Sequence, residues 1–491
     1  MYGSIAKENI NDGNSKRTAA IQGTDAGFET SATFLLTTEE AEEQQQQQQQ
    51  PQHPQCTSQR RKGTIGSGII NLSNTIVGAG MLGLPGAFGG TGYASGMILI
   101  LVSAFFSAHG LVLLSKAAQK ASNDNLPSSF YTLAHATVPS YTILIDLAVT
   151  LKCFGVATGY LITVSDCMVN ALDHFLTEPY VVAEYQFLIG IVLSRRFWVI
   201  GATIAVLPLS FYRTMDELKK ASALALVFVF FLAFGIIAYA NGLADPCESI
   251  IDMDDQDHTC RGEIVAFSDA PTTVSKLPIF IFAFTCHQNI FPIVNELHNR
   301  TQERLNRIIF CSIGFTLLLF MVVALEGYST FGSQVRGDIL LNYPENANVT
   351  MLRICIAFML SLHYPLQLDP SRRCITSLVK VVSGWRQRIP TSVLLESDQN
   401  NQDDRLFNTI TVSFLLLSFG VAMVVDDLGV VLAMVGATGS TLVSYILPGL
   451  LYIKLQPEFD WTKGMAILQL VLGCLIVPIA LYYVLVGTTR H

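Results

Sequence analysis

Charge is scarce along most of this chain. Asp, Glu, Lys and Arg make up 14% of its 491 residues, where a soluble protein carries about a quarter. Other signatures are missing too. There is no HExxH, no GxSxG and no Walker-type loop, so no nucleophile or metal set for an enzyme can be assembled. No CxxC occurs, and no Cys/His group has metal-ligand spacing. Most of the ten Cys lie in or beside apolar runs and read as small packing residues. Cys247 and Cys260 differ: they share an acidic loop, where an oxidising compartment would permit a disulfide. A formal charge of −8 argues against a nucleic-acid partner. No apolar leader with a small-residue cleavage site precedes the first long apolar run, which is therefore expected to act as its own insertion signal.

What the chain has instead is apolar length. Runs of about 17–25 residues, each able to cross a bilayer, fall near 65–88, 93–117, 142–170, 196–212, 221–241, 273–293, 308–330, 348–369, 406–425, 428–452 and 464–487. This predicts an all-α polytopic membrane protein of about eleven transmembrane helices set in the lipid bilayer. Residues 1–62 stand apart. EEAEEQQQQQQQPQHPQ (39–55) cannot bury a core and predicts a disordered Gln-rich tail. Arg60, Arg61 and Lys62, then Lys116, Lys120, Arg300, Arg304 and Arg307, and later Arg372, Arg373 and Lys380, collect on one side of the predicted topology. Lys and Arg mark the cytoplasmic side, so the N-terminus is expected there and the C-terminus in the lumen. The acidic loop 243–263 falls opposite, and Arg195-Arg196 is the exception to the count. The sequon Asn348-Val349-Thr350 lies so near the eighth span that an unmodified Asn is expected.

The first span contains NTIVGAGMLGLP (74–85). Each interior Gly costs a helix roughly 1 kcal/mol relative to Ala, and Pro removes a hydrogen bond. The sixth span reads PIFIFAFTCHQNIFPIVNEL (278–297), with Thr285, Cys286, His287, Gln288 and Asn289 at its middle. Two interrupted segments in corresponding places of two five-span groups point to a transporter site built from discontinuous helices. Unwinding at Val77-Gly78-Ala79-Gly80 would free N–H groups that favour a carboxylate, and freed carbonyls would suit an ammonium. Together they fit an amino-acid zwitterion, with Thr75, Val77, Gly78, Ala79, Gly80, Thr285, Cys286 and His287 as the binding residues. The competing reading makes Gly78 and Gly80 a packing face between helices.

SNTIVGAGMLGLP (73–85) and FAFTCHQNIFPIVNEL (282–297) resemble the first- and sixth-span motifs of the amino acid/auxin permease family. LHYPLQLDPSRRC (362–374) is similar to its fungal vacuolar branch; the family also includes system A and N neutral amino acid transporters. The resemblance runs from about 63 to 487. It implies a leucine-transporter-type inverted five-plus-five repeat (about 63–241 and 272–453), one C-terminal helix (464–487) and alternating access. It also implies, where sodium is the coupling ion, ligands at Asn74 and Ser361. Here His363 stands two residues beyond Ser361, and a protonated imidazole would repel a cation.

Lys152 lies about ten residues into the third span, a depth at which a charge is costly. It either fills a cation's place or pairs with Asp146 or Asp166. His363 and His287 are each open to a proton role or to plain packing; Tyr160 and Phe284 either close over substrate or pack. The sequence thus favours a secondary active transporter of amino acids with no cofactor and a proton as coupling ion. It favours export from an acidic vacuole- or lysosome-like organelle. The alternatives are sodium-coupled neutral amino-acid uptake at the plasma membrane and a non-transporting amino-acid receptor. A channel would need a continuous polar lining, and the polar residues cluster in two breaks. Oligomeric state is not encoded legibly.

Overall fold

A computed structural model describes residues 63–121, 128–176, 186–212, 219–243, 245–246, 261–386 and 396–488. The Gln-rich tail and the Cys247/Cys260 pair lie outside the described residues. Helices occupy all eleven expected positions. Among the described residues the single β feature is an isolated bridge between Gly63 and Leu297.

The first span is two helices, α1 (Ile65–Ile76) and α2 (Ala79–Thr91), bent by 50° at the break. Then come α3 (Tyr93–Ala121), a short α4 (Phe130–Thr137) and the long α5 (Thr142–Leu176). After α6 (Gln186–Val192), α7 (Arg195–Ser210) and α8 (Lys219–Ala240) close the first half. The sixth span is again divided, into α9 (Ala270–Ala283) and α10 (Ile290–Glu296). It is followed by α11 (Gln302–Phe331), α12 (Ala347–Arg386) and α13 (Glu396–Ala422). The tenth span runs α14 (Leu428–Val435), two π-helical stretches over Gly436–Ser440 and Leu442–Ile446, and α15 (Leu447–Leu455). The last helix is α16 (Trp461–Thr488). Among the described residues eight helices are long and apolar enough to cross a membrane, nine with the bent pair taken as one. The fourth span is shorter, α7 having 16 residues.

Side-chain exposure follows the bilayer. Phe105, Ile204, Phe234, Leu318, Leu416 and Tyr482 all face outward, as lipid-facing residues do. The interior is sealed by rings such as Phe88, which lies 5.9 Å from Phe280 and 6.5 Å from Tyr328. The most extensive helix contact in the molecule joins α5 to α12, the third and eighth spans. The two broken spans meet where α2 packs on α9.

Backbone and side-chain bonds define two ends. At the basic end Gly63 N–H donates to Glu296 O (2.9 Å), Gln302 Nε2 to Ser115 Oγ (2.8 Å) and Ser128 N–H to Asn295 Oδ1 (2.9 Å). At the far end Tyr93 N–H donates to Val265 O (3.1 Å) and Gly262 N–H to Phe331 O (2.9 Å). Arg195, the exception to the charge count, sits at the far end and is neutralised there. It bonds Asp166 (2.8 Å) and Asp426 (2.7 Å), and donates to the Ala422 and Val425 carbonyls.

Candidate functional site

Helix α1 stops where the sequence says it should. Val77 is extended (φ −78°, ψ 98°), Gly78 follows in a non-helical conformation, and α2 restarts at Ala79. In the sixth span the helix ends at Ala283, and Phe284–Cys286 lead into one 3-10 turn over His287–Asn289. Broken backbone needs partners inside the protein. Ser107 Oγ supplies one by donating to Phe284 O (2.7 Å).

A pocket of about 10 Å³ lies between the two breaks, against α5 and α12. Thr75, Gly78, Ala79, Gly80 and Thr285 line it, as expected from sequence, and so does Lys152. Val77, Cys286 and His287 are buried but not in its wall; the His287 ring instead lies against Gly110 of α3. Tyr160 and Gln367 add polar groups to the lining, and Ile76, Val156 and Phe282 its apolar part. A volume near that of one water probe cannot hold an amino acid, so the site is contracted in this conformation.

The polar residues form a connected set. Lys152 Nζ donates to Gln367 Oε1 (3.3 Å), and Gln367 Nε2 donates to the Tyr160 hydroxyl (3.5 Å). The expected pairing of Lys152 with Asp166 is not made, because Arg195 holds that carboxylate. No ion pair with Asp146 forms among the described residues either. The Tyr160 and His363 rings stand 6.3 Å apart. His363 Nε2 is hydrogen-bonded to Asn74 Oδ1 (3.1 Å), while the Ser361 hydroxyl donates to Ala357 O of its own helix (2.8 Å). A strap also joins the two breaks: Asn289 Nδ2 donates to Thr75 Oγ1 (2.8 Å).

The glycines separate into two roles. A Cβ on Gly78 would lie 2.9 Å from the Tyr160 hydroxyl, at the mouth of the pocket. One on Gly80 would lie 2.8 Å from Ala283 Cα, so that position also lets α2 meet α9 closely. Sequence reasoning passed over Gln367. The available signal was its spacing: Gln367 is four residues after His363 and so shares its helix face.

The geometry agrees with what comparison reveals. The model of the family described as transmembrane amino acid transporter protein matches residues 61–489. The chain is 33% identical to vacuolar amino acid transporter 5 of Schizosaccharomyces pombe over 392 residues, 79% of this chain and 83% of that one. It is 31% identical to vacuolar amino acid transporter 5 of Saccharomyces cerevisiae over 432 residues, 81% and 90% of the two chains. With vacuolar amino acid transporter 6 of the same yeast it shares 30% identity over 434 residues, 80% and 90%. Two broken spans around a small polar pocket, in a chain matched by that family from its first span to its last, identify this protein as a member of the transmembrane amino acid transporter family.

Proposed function

We propose that the protein exports amino acids from an acidic, vacuole-like organelle by proton-coupled alternating access, with its basic end in the cytoplasm. The carrying observation is the Asn74–His363 bond. A titratable imidazole holds the oxygen that a sodium ion would need, and the hydroxyl of Ser361 is turned to its own helix. Lys152 lines the pocket itself. A sodium ion placed beside it would be repelled strongly, since the local dielectric is low. A proton, unlike sodium, is held by a covalent N–H bond and needs no oxygen cage, and imidazole takes up and releases one between about pH 5 and 8 when unperturbed. The relatives named as vacuolar amino acid transporters support the organelle and the substrate class.

In this reading the carboxylate of the substrate meets the N–H groups freed at the start of α2, whose helix dipole favours an anion. Carbonyls freed at the end of α9 receive the ammonium. The pocket must widen to admit both, and widening towards one end while the other stays closed is alternating access. The test is transport by sealed vesicles with pH and sodium gradients imposed separately. Transport that follows the pH gradient and survives replacement of sodium by choline supports the proposal. Transport that stops on choline replacement at fixed pH overturns the proton and returns Asn74 and Ser361 to sodium.

A further inference from the structure

A second, larger cavity of about 110 Å³ opens at the basic end. Its walls come from α4 and the two residues before it, the start of α5, the second half of the broken sixth span and the second half of α12. It has room for roughly four waters at about 30 Å³ each, which is the scale of a small amino acid. The central pocket and this cavity have no wall residue in common. What stands between them is the Thr75–Asn289 strap, Thr75 belonging to the pocket wall and Asn289 to the cavity wall.

The lining is polar in a specific way. Gln288 is 5% exposed, and neither atom of its amide has a partner. Asp146 is 1% exposed, and its Oδ1 has no partner. Buried polar atoms are nearly always bonded, so atoms left open around a cavity point to something that fills it. Arg373 sits at the same cavity in an ion pair with Asp369 (2.7 Å). Phe130, Phe291 and Pro292 form an apolar wall beside them. One acceptor that carries charge, one amide offering both donor and acceptor, and one guanidinium make up the groups that recognise a zwitterion.

We infer that this cavity is a second amino-acid subsite, on the cytoplasmic side of the central pocket and separated from it by the Thr75–Asn289 strap. The inference rests on the transport reading above. The α-ammonium of the solute bonds Asp146 Oδ1 and Gln288 Oε1, and its carboxylate takes Gln288 Nε2 and the outer face of Arg373. Its side chain lies along Phe130 and Phe291. A solute leaving the central pocket rests here before release, and one arriving from the cytoplasm binds here first. The subsite thus governs affinity from one side only.

The test uses the full chain in proteoliposomes of known orientation. Each of the twenty labelled standard amino acids is screened by counterflow, and the one giving the largest signal serves as probe. If none gives counterflow, the transport reading fails, and the subsite fails with it. With a probe in hand, KM is measured from each face for Asp146→Asn and for Gln288→Ala. A rise of about tenfold in KM from the basic face, with less than a twofold change from the far face, is expected. Equal changes from both faces, or none from either, overturn the subsite while leaving transport intact. Gln288→Ala keeps the test decisive if Asp146→Asn fails to fold, and partial rescue by Asp146→Glu is expected for a group that binds an ammonium.

Discussion

The two ends of the molecule are held by different chemistry. At the far end, guanidinium groups tie buried carbonyls and carboxylates together. Arg353, almost wholly buried, donates to the carbonyls of Asn170, Leu340 and Tyr343 at 3.0–3.2 Å. Arg195 gathers Asp166, Asp426 and two carbonyls. At the basic end neutral bonds, as in Asn289 to Thr75 and Ser128 to Asn295, stand beside charged ones, Arg372 donating to Ser210 O (2.7 Å) and Arg373 pairing with Asp369 (2.7 Å), and open polar atoms surround a cavity. Hydrogen bonds to charged groups are worth about twice neutral ones. The far end thus gathers its carbonyls and carboxylates on two arginines, whereas the basic end leaves polar atoms open around a cavity.

Removing Arg353 should break that difference most severely. Arg353→Ala removes the donor shared by three carbonyls, and those of Leu340 and Tyr343 lie outside the α-helices, where a buried acceptor left open costs about 1–3 kcal/mol. The expected result is a large fall in melting temperature in detergent and loss of transport. An unchanged melting temperature would mean that the far end is not held by this residue.

The glycines of the first break come next. Gly80→Val drives a side chain into the backbone of α9 and should lower both stability and the amount of protein reaching the membrane. Gly78→Val meets only the end of Tyr160, so protein reaches the membrane but transport falls at least tenfold. Counterflow and surface-normalised expression, measured side by side, separate the two.

Asp338 sharpens the comparison through pH. It lies between α11 and α12 at the far end; its Oδ1 accepts from Leu340 N–H (2.9 Å) and its Oδ2 has no partner. Burial pushes its carboxyl up to about 7, assisted by the neighbouring Asp166 and opposed by the Leu340 N–H bond and Arg353. A raised carboxyl is neutral in acid, so its contribution to this end is fully present below about pH 4, the unfolded value, and lost as pH rises through about 7. Melting temperature should therefore fall from about pH 4 to about pH 7, and Asp338→Asn should flatten that fall.

The smallest effect belongs to the strap. Asn289→Ala removes one neutral bond, worth about 0.5–1.5 kcal/mol, and leaves Thr75 donating to Asn71 O (2.9 Å). Turnover should change by about twofold to tenfold with little change in melting temperature. A collapse in stability would show that the strap is structural and not a movable partition.

Much of this organisation could be read in the chain itself. Gly78, Gly80 and the polar run 285–289 marked both breaks, and α1 and α2 divide within two residues of where the glycines suggest. The positions of the spans followed from apolar length alone. The bonds made between spans were not legible. A helix in lipid is apolar on every face, so periodicity does not tell which side meets protein. Gln367 and Arg353 look like isolated polar residues until α12 is packed on α5. Lys152 was visible, yet its partner was misjudged because Arg195, 29 residues downstream of Asp166, takes the carboxylate first.

Arg195 also imposes an order on biosynthesis. As the chain emerges, Asp166 enters the membrane before Arg195, so the first partner of the guanidinium is already waiting at the far end. The fourth span, at 16 residues the shortest, thus inserts with its charge half-neutralised by the third. Ala422, Val425 and Asp426 are made more than 220 residues later. Until they arrive, Arg195 has Asp166 alone among these partners. The nascent protein is therefore a half-latched bundle, and emergence of the ninth span, not of the first five, completes the latch.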